Sequence, residues 1–360
     1  MNRRTFAAAL GSAAAHAAGR RLRVALLTHA GGPHLSAYIP ALADTPEVGE
    51  VVLSDPGGEN VPAARQALGS RLSAVYESPA ELFRREKPEL ALITMEAALS
   101  PPVIDAALEA GCHVLAEKPA CVRLADFDPL AAKAEARRLH LMLALVNRID
   151  PDVVEMRRLI EDGRIGRVYG VELHIIADQT RLTRPAYHRT WFAHKARSGG
   201  GHLIWLGIHW LDLATFVTRS KINAVSCFTA NVGGQPIDVE DSAAVAMRFD
   251  NGTLGTITSG YYLDKGYHSL VKVWGSHGWV ELRKHGGPGL EWYSTKEAAP
   301  AVHRVNHGDE PSGYTPFVRR VVRSVAGREP PPLTTADSLN VLKVVFAAYR
   351  AAETGRTIVI

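Results

Sequence analysis

The sequence predicts a doubly wound parallel α/β domain followed by an α+β domain with a mostly antiparallel open sheet. Three observations carry this. From Leu22 to about Asn147, short apolar runs alternate with stretches of helical spacing. Beyond Asn147 the alternation gives way to strand-like stretches separated by turn signals. A chain of 360 residues is also longer than one compact core usually supports, so two domains are expected.

Each element of the first half has a local reason. Val24 to Leu27 is a short buried strand, followed by helical spacing from His34 to Leu42. Val51 to Leu53 forms a second strand and ends at Ser54-Asp55. Ser78-Pro79-Ala80-Glu81 has the form of a capping box with proline at the first helical position. Leu90 to Thr94 is an apolar run suited to the centre of a parallel sheet. A helix over Pro101–Ala110 is stopped by Gly111, and His113–Ala116 is the next strand, with Glu117-Lys118-Pro119 directly after it. A helix through Ala125–Arg138 and a strand through Leu141–Val146 complete the unit.

In the second half, strands are expected at Val168–Ile176, Ala243–Phe249, Thr253–Tyr261, Leu270–Trp274 and Trp279–Leu282. One long helix from about Leu203 to Val217 interrupts them, and all six tryptophans lie in this half. Thr334-Thr335-Ala336-Asp337 opens a last helix that ends before Gly355. The expected domains are therefore 20–146, 147–333 and a C-terminal helical segment, 334–360, that packs back on the first.

Composition narrows the function. Apolar residues make up 46% and charged residues 22%, which excludes a disordered, collagen-like or coiled-coil chain. The net charge of +4 comes with no basic stripe outside the extreme N-terminus, so no nucleic-acid partner is expected. Cys112, Cys121 and Cys227 cannot build a disulfide framework, and their spacing matches no metal site. Residues 1–19 carry Arg3 and Arg4, then Phe6 and an Ala-rich stretch, with Ala15-His16-Ala17 as a cleavage site. They resemble a twin-arginine export signal, which points to a periplasmic or exported protein; the alternative is a cytoplasmic one with an Ala-rich helix. Cleavage after Ala17 would remove Arg3 and Arg4 and lower the net charge accordingly. No stretch reaches the length of a membrane span.

The turn after the first strand is Thr28-His29-Ala30-Gly31-Gly32-Pro33-His34. A dinucleotide pyrophosphate needs backbone N–H groups at a helix N-terminus and glycines where the chain approaches closely. The usual spacing would put glycines at 28, 30 and 33; here Gly31 and Gly32 stand between those positions. Asp55 follows the second strand where an acid can bind the ribose hydroxyl and favour NAD over NADP; a turn or cap aspartate is the other reading. Glu117 and Lys118 stand at the carboxyl end of a parallel strand, where open α/β sheets bind ligands. A lysine there can polarise an oxygen, and a proline after it is often cis.

Ala110-Gly111-Cys112-His113-Val114-Leu115-Ala116-Glu117-Lys118-Pro119 resembles the hallmark of the glucose–fructose oxidoreductase / inositol dehydrogenase / MocA family. The resemblance recurs at Asn147-Arg148, Gly163-Arg164-Ile165-Gly166, Gly199-Gly200-Gly201, Gly207–Asp212, Val239–Ala243 and Ala348–Gly355. It implies a Rossmann first domain that binds NAD, with NADP less favoured, and a second domain whose sheet faces a sugar or polyol. Lys118 becomes the catalytic lysine and His209 the proton-transfer residue. Cofactor contacts are implied at Thr28, Ala30, Gly31, Gly32, Asp55, Thr94, Glu117, Pro119 and Arg148. Substrate contacts are implied at Asn147, His188, Trp205 and Tyr261, and a homo-oligomer is expected. The family's D-x-G-x-H reads Trp205-Leu206-Gly207-Ile208-His209 here, so tryptophan replaces the aspartate. Trp205 could stack on a sugar ring or simply fill space. His202 and His209 are seven apart, but no third ligand is evident and no metal is expected. The expected activity is NAD(P)-dependent oxidation or reduction of a sugar, glycoside or cyclitol. The alternatives are an NAD-dependent glycosidase-type reaction through transient oxidation, and a non-redox sugar-binding relative.

Overall fold

The computed structural model describes residues 21–308 and 310–360, so the export-signal expectation lies outside the described residues. The chain divides into two compact units. Among the described residues, the first comprises those from 21 to 120, then 129–144 and 313–335; the second comprises 121–128, 145–312 and 336–360.

The first unit holds strands β1 (Leu22–Thr28), β2 (Val48–Ser54), β3 (Leu72–Tyr76), β4 (Leu90–Thr94), β5 (His113–Ala116) and β6 (Leu141–Leu143). Its helices are α1 (Leu35–Ala43), α2 (Val61–Leu68), α3 (Pro79–Arg85) and α4 (Ser100–Glu109), and α5 (Leu124–Ala136) enters it from the second unit. The six strands are all parallel, in the order β3-β2-β1-β4-β5-β6. That order reverses between β1 and β4, and ligands bind at the carboxyl ends of the strands at such a switch point. β1 and β4 are apolar and buried almost throughout, as central parallel strands require. Ser78 accepts from the Glu81 N–H at 3.2 Å, the expected cap of α3. The sequence reading passed over α2 and β3, because β3 is an edge strand with no fully buried residue and so carries little apolar signal.

The second unit contains α6 (Pro151–Glu161), β7 (Val168–Asp178), a run of single turns over residues 179–198, a π-helical segment Leu203–Gly207 and α7 (Ile208–Thr218). Then come β8 (Ile222–Ala230), β9 (Ser242–Phe249), β10 (Leu254–Leu263), β11 (Tyr267–Gly275), β12 (Gly278–Arg283), β13 (Gly289–Ser294) and β14 (His303–Val305). α8 (Tyr314–Val325) returns to the first unit, where it packs on α1. α9 (Thr335–Thr354) and β15 (Ile358–Val359) close the chain. The nine-stranded sheet runs β14-β13-β12-β11-β7-β10-β9-β8-β15. Every neighbour pair is antiparallel except β7 and β10, which a long crossover joins. β9 alternates buried and exposed residues, so one face of this sheet is covered.

Two expectations about boundaries change. The chain re-enters the first unit at Gly313–Thr335, a return that no local pattern announces. The C-terminal segment from Ala336 groups with the second unit. There β15 pairs with β8, and Tyr349 of α9 donates to Glu240 at 2.7 Å. Among the described residues no helix is long and apolar enough to cross a membrane.

Candidate active site

In the first unit, the turn after β1 is held in a tight conformation. Gly31 has φ +76, and a Cβ on Gly32 would lie 2.2 Å from Thr28 Oγ1 and 2.7 Å from the Thr94 carbonyl oxygen. Thr28 Oγ1 donates to that carbonyl at 3.0 Å, and Thr94 Oγ1 donates to the Pro33 carbonyl. Thus the threonines at the ends of β1 and β4 bind the loop, and glycine at 32 leaves the room it needs. Ala30 and Gly31 are exposed at its rim. His34 opens α1 with φ 58, and no side chain caps the helix. The N-terminus of α1 is therefore open to an anion.

Asp55 is buried at the end of β2. Its carboxylate accepts from the Asn60 backbone N–H at 2.7 Å and from Asn60 Nδ2 at 2.9 Å. A carboxylate has about four lone-pair sites, so Asp55 keeps acceptors for a ribose hydroxyl. The turn reading and the ribose reading of Asp55 are both accommodated.

At the end of β5, Glu117 and Lys118 are 2% and 3% exposed, and the Lys118–Pro119 peptide bond is cis. Glu117 Oε2 accepts from the Tyr38 hydroxyl at 2.5 Å and faces His34 Nδ1 at 3.1 Å, while Oε1 accepts from the Lys118 N–H at 3.1 Å. Burial alone would raise this carboxyl, but the His34, Lys118 and Tyr38 groups outweigh it and hold Glu117 below its ordinary value. Tyr314 stacks edge-on against Tyr38 at 5.0 Å and tilts over His34 at 5.2 Å. His34, Tyr38 and Tyr314 were not singled out from the sequence. The four-residue spacing of His34 and Tyr38 on a helix start was the available signal.

The second unit places His202 just before and His209 just after a π-helical segment. Trp205 lies within that segment and His209 in the α-helix after it, so the i, i+4 face-sharing of a regular helix does not carry over unchanged. Gly201 is obligatory, because a Cβ there would lie 1.8 Å from the Glu240 carbonyl oxygen. The Glu240 carboxylate caps the segment by accepting from Gly201 N at 2.7 Å and Leu203 N at 3.0 Å. Burial raises the Glu240 carboxyl above its ordinary value against these donors.

His209 is 8% exposed. Trp205 is 6% exposed, and its ring meets Trp191 and Phe192 edge-on at 4.8 Å each. Those contacts match the space-filling reading of Trp205. His202 Nδ1 lies 2.6 Å from Ser259 Oγ, and its ring stands edge-on to Tyr261 at 4.4 Å. Tyr261 is buried with Ala177 and Leu182, and Tyr187, Leu206 and Tyr267 pack against them. His188 Nε2 is 2.5 Å from the Leu182 carbonyl oxygen, on the margin of the same cluster. Asn147 Oδ1 accepts from Lys284 Nζ at 2.7 Å. Arg148, expected at the cofactor, is committed within the second unit to a two-pronged pair with Asp212 and to Asp337 at 3.1 Å. Among the described residues no cluster of three or more His, Cys, Asp or Glu side chains could hold a metal ion.

The switch-point cradle, the buried acid after β2 and the buried lysine after β5 fit a nicotinamide dinucleotide and define a dinucleotide-dependent oxidoreductase. The chain belongs to the GFO/IDH/MocA oxidoreductase family: residues 30–145 match its NAD-binding Rossmann fold and residues 153–281 its C-terminal domain. It is 23% identical to a myo-inositol 2-dehydrogenase of Thermotoga maritima over 85% of this chain and 89% of the relative. It is 26% identical to the myo-inositol dehydrogenase Hyg17 of Streptomyces leeuwenhoekii over 81% and 87% of the two chains. An oxidoreductase domain protein of Kribbella flavida superposes with a TM-score of 0.85 at 23% identity, covering 95% and 99% of the chains.

Proposed function

We propose that this oxidoreductase acts on a carbinol carbon of a sugar or cyclitol, with Lys118 and His209 as its catalytic residues. The observation that carries this is Lys118, buried at the carboxyl end of β5 beside a glycine cradle that a Cβ would fill. The inositol dehydrogenases among the relatives support the substrate class. Thr28, Ala30, Gly31, Gly32 and Thr94 would line the pyrophosphate turn, Asp55 would hold the adenosine ribose, and Glu117 and Pro119 would border the nicotinamide side. Bound NAD supplies the hydride acceptor. The Lys118 ammonium holds and polarises the substrate oxygen, and His209 takes the hydroxyl proton as the carbonyl forms. Asn147, His188, Trp205 and Tyr261 are the proposed substrate contacts. Asp55 disfavours a 2′-phosphate by charge, so NAD is preferred over NADP.

The test begins with titration of purified protein by NAD and NADP, followed by a screen of polyols and sugars for NADH formation at 340 nm. Lys118→Met should lower kcat by about 10²–10⁴-fold with NAD affinity nearly unchanged. Turnover near wild type would remove Lys118 from the mechanism. Accumulating NADH marks net oxidation; product without NADH marks the transient-oxidation alternative. Export is read by fusing residues 1–30 to a reporter, with Arg3/Arg4-dependent secretion expected and cytosolic retention of the intact fusion refuting it. Self-association is supported by Phe228, Leu254 and Trp274, which are 82%, 63% and 40% exposed on strands of the second sheet. Light scattering should show more than one copy per particle.

A further inference from the structure

We infer that the substrate carries an anionic group, a carboxylate or a phosphate, which Arg181 receives in the second unit. The inference rests on the dehydrogenase reading above. Arg181 is half-buried, donates from Nη2 to the Tyr267 hydroxyl at 3.1 Å and lies 5.5 Å from the Tyr261 ring centroid. Tyr261 in turn stands edge-on to His202, and Leu206, three residues before His209, packs on the Tyr261 cluster. Arg181 therefore belongs to the packing that surrounds the proposed substrate contacts.

Its partners are phenols. Among the described residues no carboxylate forms an ion pair with it. Asp178, three residues away, has Oδ1 occupied by the Thr180 N–H at 2.8 Å and the Thr180 hydroxyl at 2.6 Å. A half-buried guanidinium loses solvation that a phenol repays only partly, whereas a carboxylate or phosphate meets its planar fork with two parallel bonds. Tyr267 and Tyr261 hold the fork in place, which lowers the entropy lost on binding.

A second observation points the same way. Residues 179–197 carry Arg181, Arg184, Arg189, Lys195 and Arg197 and no Asp or Glu, in a chain whose net charge is +4 overall. Arg184 and Arg189 are exposed. Lys195 is paired with Glu353 at 3.0 Å, so the exposed Arg184 and Arg189, close to Arg181 in sequence, are the charges that raise the local concentration of anions.

The experiment uses the NADH-loaded and NAD-loaded full chain with three probes: D-glucose, D-glucuronate and D-glucose 6-phosphate. Binding is read by calorimetry, and kcat/KM is measured wherever turnover occurs. One or both anions should bind at least about 10-fold tighter than glucose, with the preference shrinking as salt rises. Preference for glucuronate identifies a carboxylate, and preference for the phosphate identifies a phosphoryl group. Arg181→Met should reduce the anion-over-glucose ratio by about 10-fold or more, bringing the probes close to parity, and the loss should fall in KM more than in kcat. Arg181→Lys should restore part of it, as a point charge without the fork. Equal loss for all three probes in Arg181→Met, no anion preference in the wild type, or no saturable anion binding overturns the inference. Failure to bind NAD at all would instead overturn the dehydrogenase reading.

Discussion

Tyr38, on the first helix after the glycine turn, donates its hydroxyl to Glu117 Oε2 at 2.5 Å, at the end of the strand that presents Lys118. One hydrogen bond thus joins the helix that follows the glycine turn to the Glu-Lys-Pro turn. Tyr38 is fully buried and Glu117 nearly so, so removing the donor leaves a buried carboxylate short of a partner. Tyr38→Phe should cost about 1–3 kcal/mol in urea denaturation. It should also weaken NAD binding, because both turns would shift together. Unchanged stability would show that His34 and the Lys118 N–H suffice for Glu117.

Gly32 gives a sharper test of the cradle. An alanine methyl there would sit 2.2 Å from Thr28 Oγ1 and 2.7 Å from the Thr94 carbonyl oxygen, so the loop must move outward. Gly32→Ala should raise the NAD Kd by at least about 10-fold, which corresponds to roughly 1.4 kcal/mol. The double variant Gly32→Ala with Thr28→Gly removes the nearer clash and should recover part of the affinity. NAD binding at wild-type strength in the single variant would separate this loop from the cofactor.

The parallel sheet was readable because its signal is local. Leu90–Thr94 and His113–Ala116 are apolar runs whose ends coincide with the observed strands. Ser78 carries its cap in the sequence as well. What escaped detection depends on distant partners. β15 is two residues long and exists by pairing with β8, and α8 is assigned to the first unit by its packing on α1. In the site, Lys118 and the cis proline followed from the motif, but the residues that hold Glu117 did not. Tyr314 reaches Tyr38 from nearly three hundred residues away, and no spacing rule spans that distance. The sequence equally could not show that Arg148 spends its fork on Asp212, sixty-four residues away, since no spacing rule pairs them.

His113 predicts a pH response. Burial, aided by the neighbouring His140, pushes its imidazole down to about 4, and its Nδ1 accepts from the His140 N–H at 3.0 Å. The unfolded chain therefore binds this proton near the ordinary value of about 6.5, before the folded chain does. Stability must fall as pH drops from about 6.5 to 4, and this group adds no further slope below that. His113→Gln retains an acceptor but not the titration. Its Tm should decline less than that of wild type over the same interval, with residual slope from His140, His174 and His285, whose values burial also lowers. Parallel Tm–pH curves would rule His113 out as the source.

Arg148 and Asp212 are 6% and 2% exposed, with Nε to Oδ2 at 2.8 Å and Nη2 to Oδ1 at 2.6 Å. Burial pushes the Asp212 carboxyl above its ordinary value even though Arg148 opposes this, so the pair is held against a large desolvation cost. Removing one partner exposes that cost in full. Arg148→Met should lose about 3–5 kcal/mol of stability by denaturant titration, leaving an uncompensated carboxylate that takes up a proton on folding. The double variant Arg148→Met/Asp212→Leu removes both charges and should regain most of the loss, because apolar side chains of similar volume replace such pairs at little cost. A double variant no more stable than the single one would mean that Asp337, 3.1 Å from Arg148 Nη1, or the stacking of Arg148 over Phe216 at 5.0 Å supplies most of the stabilisation.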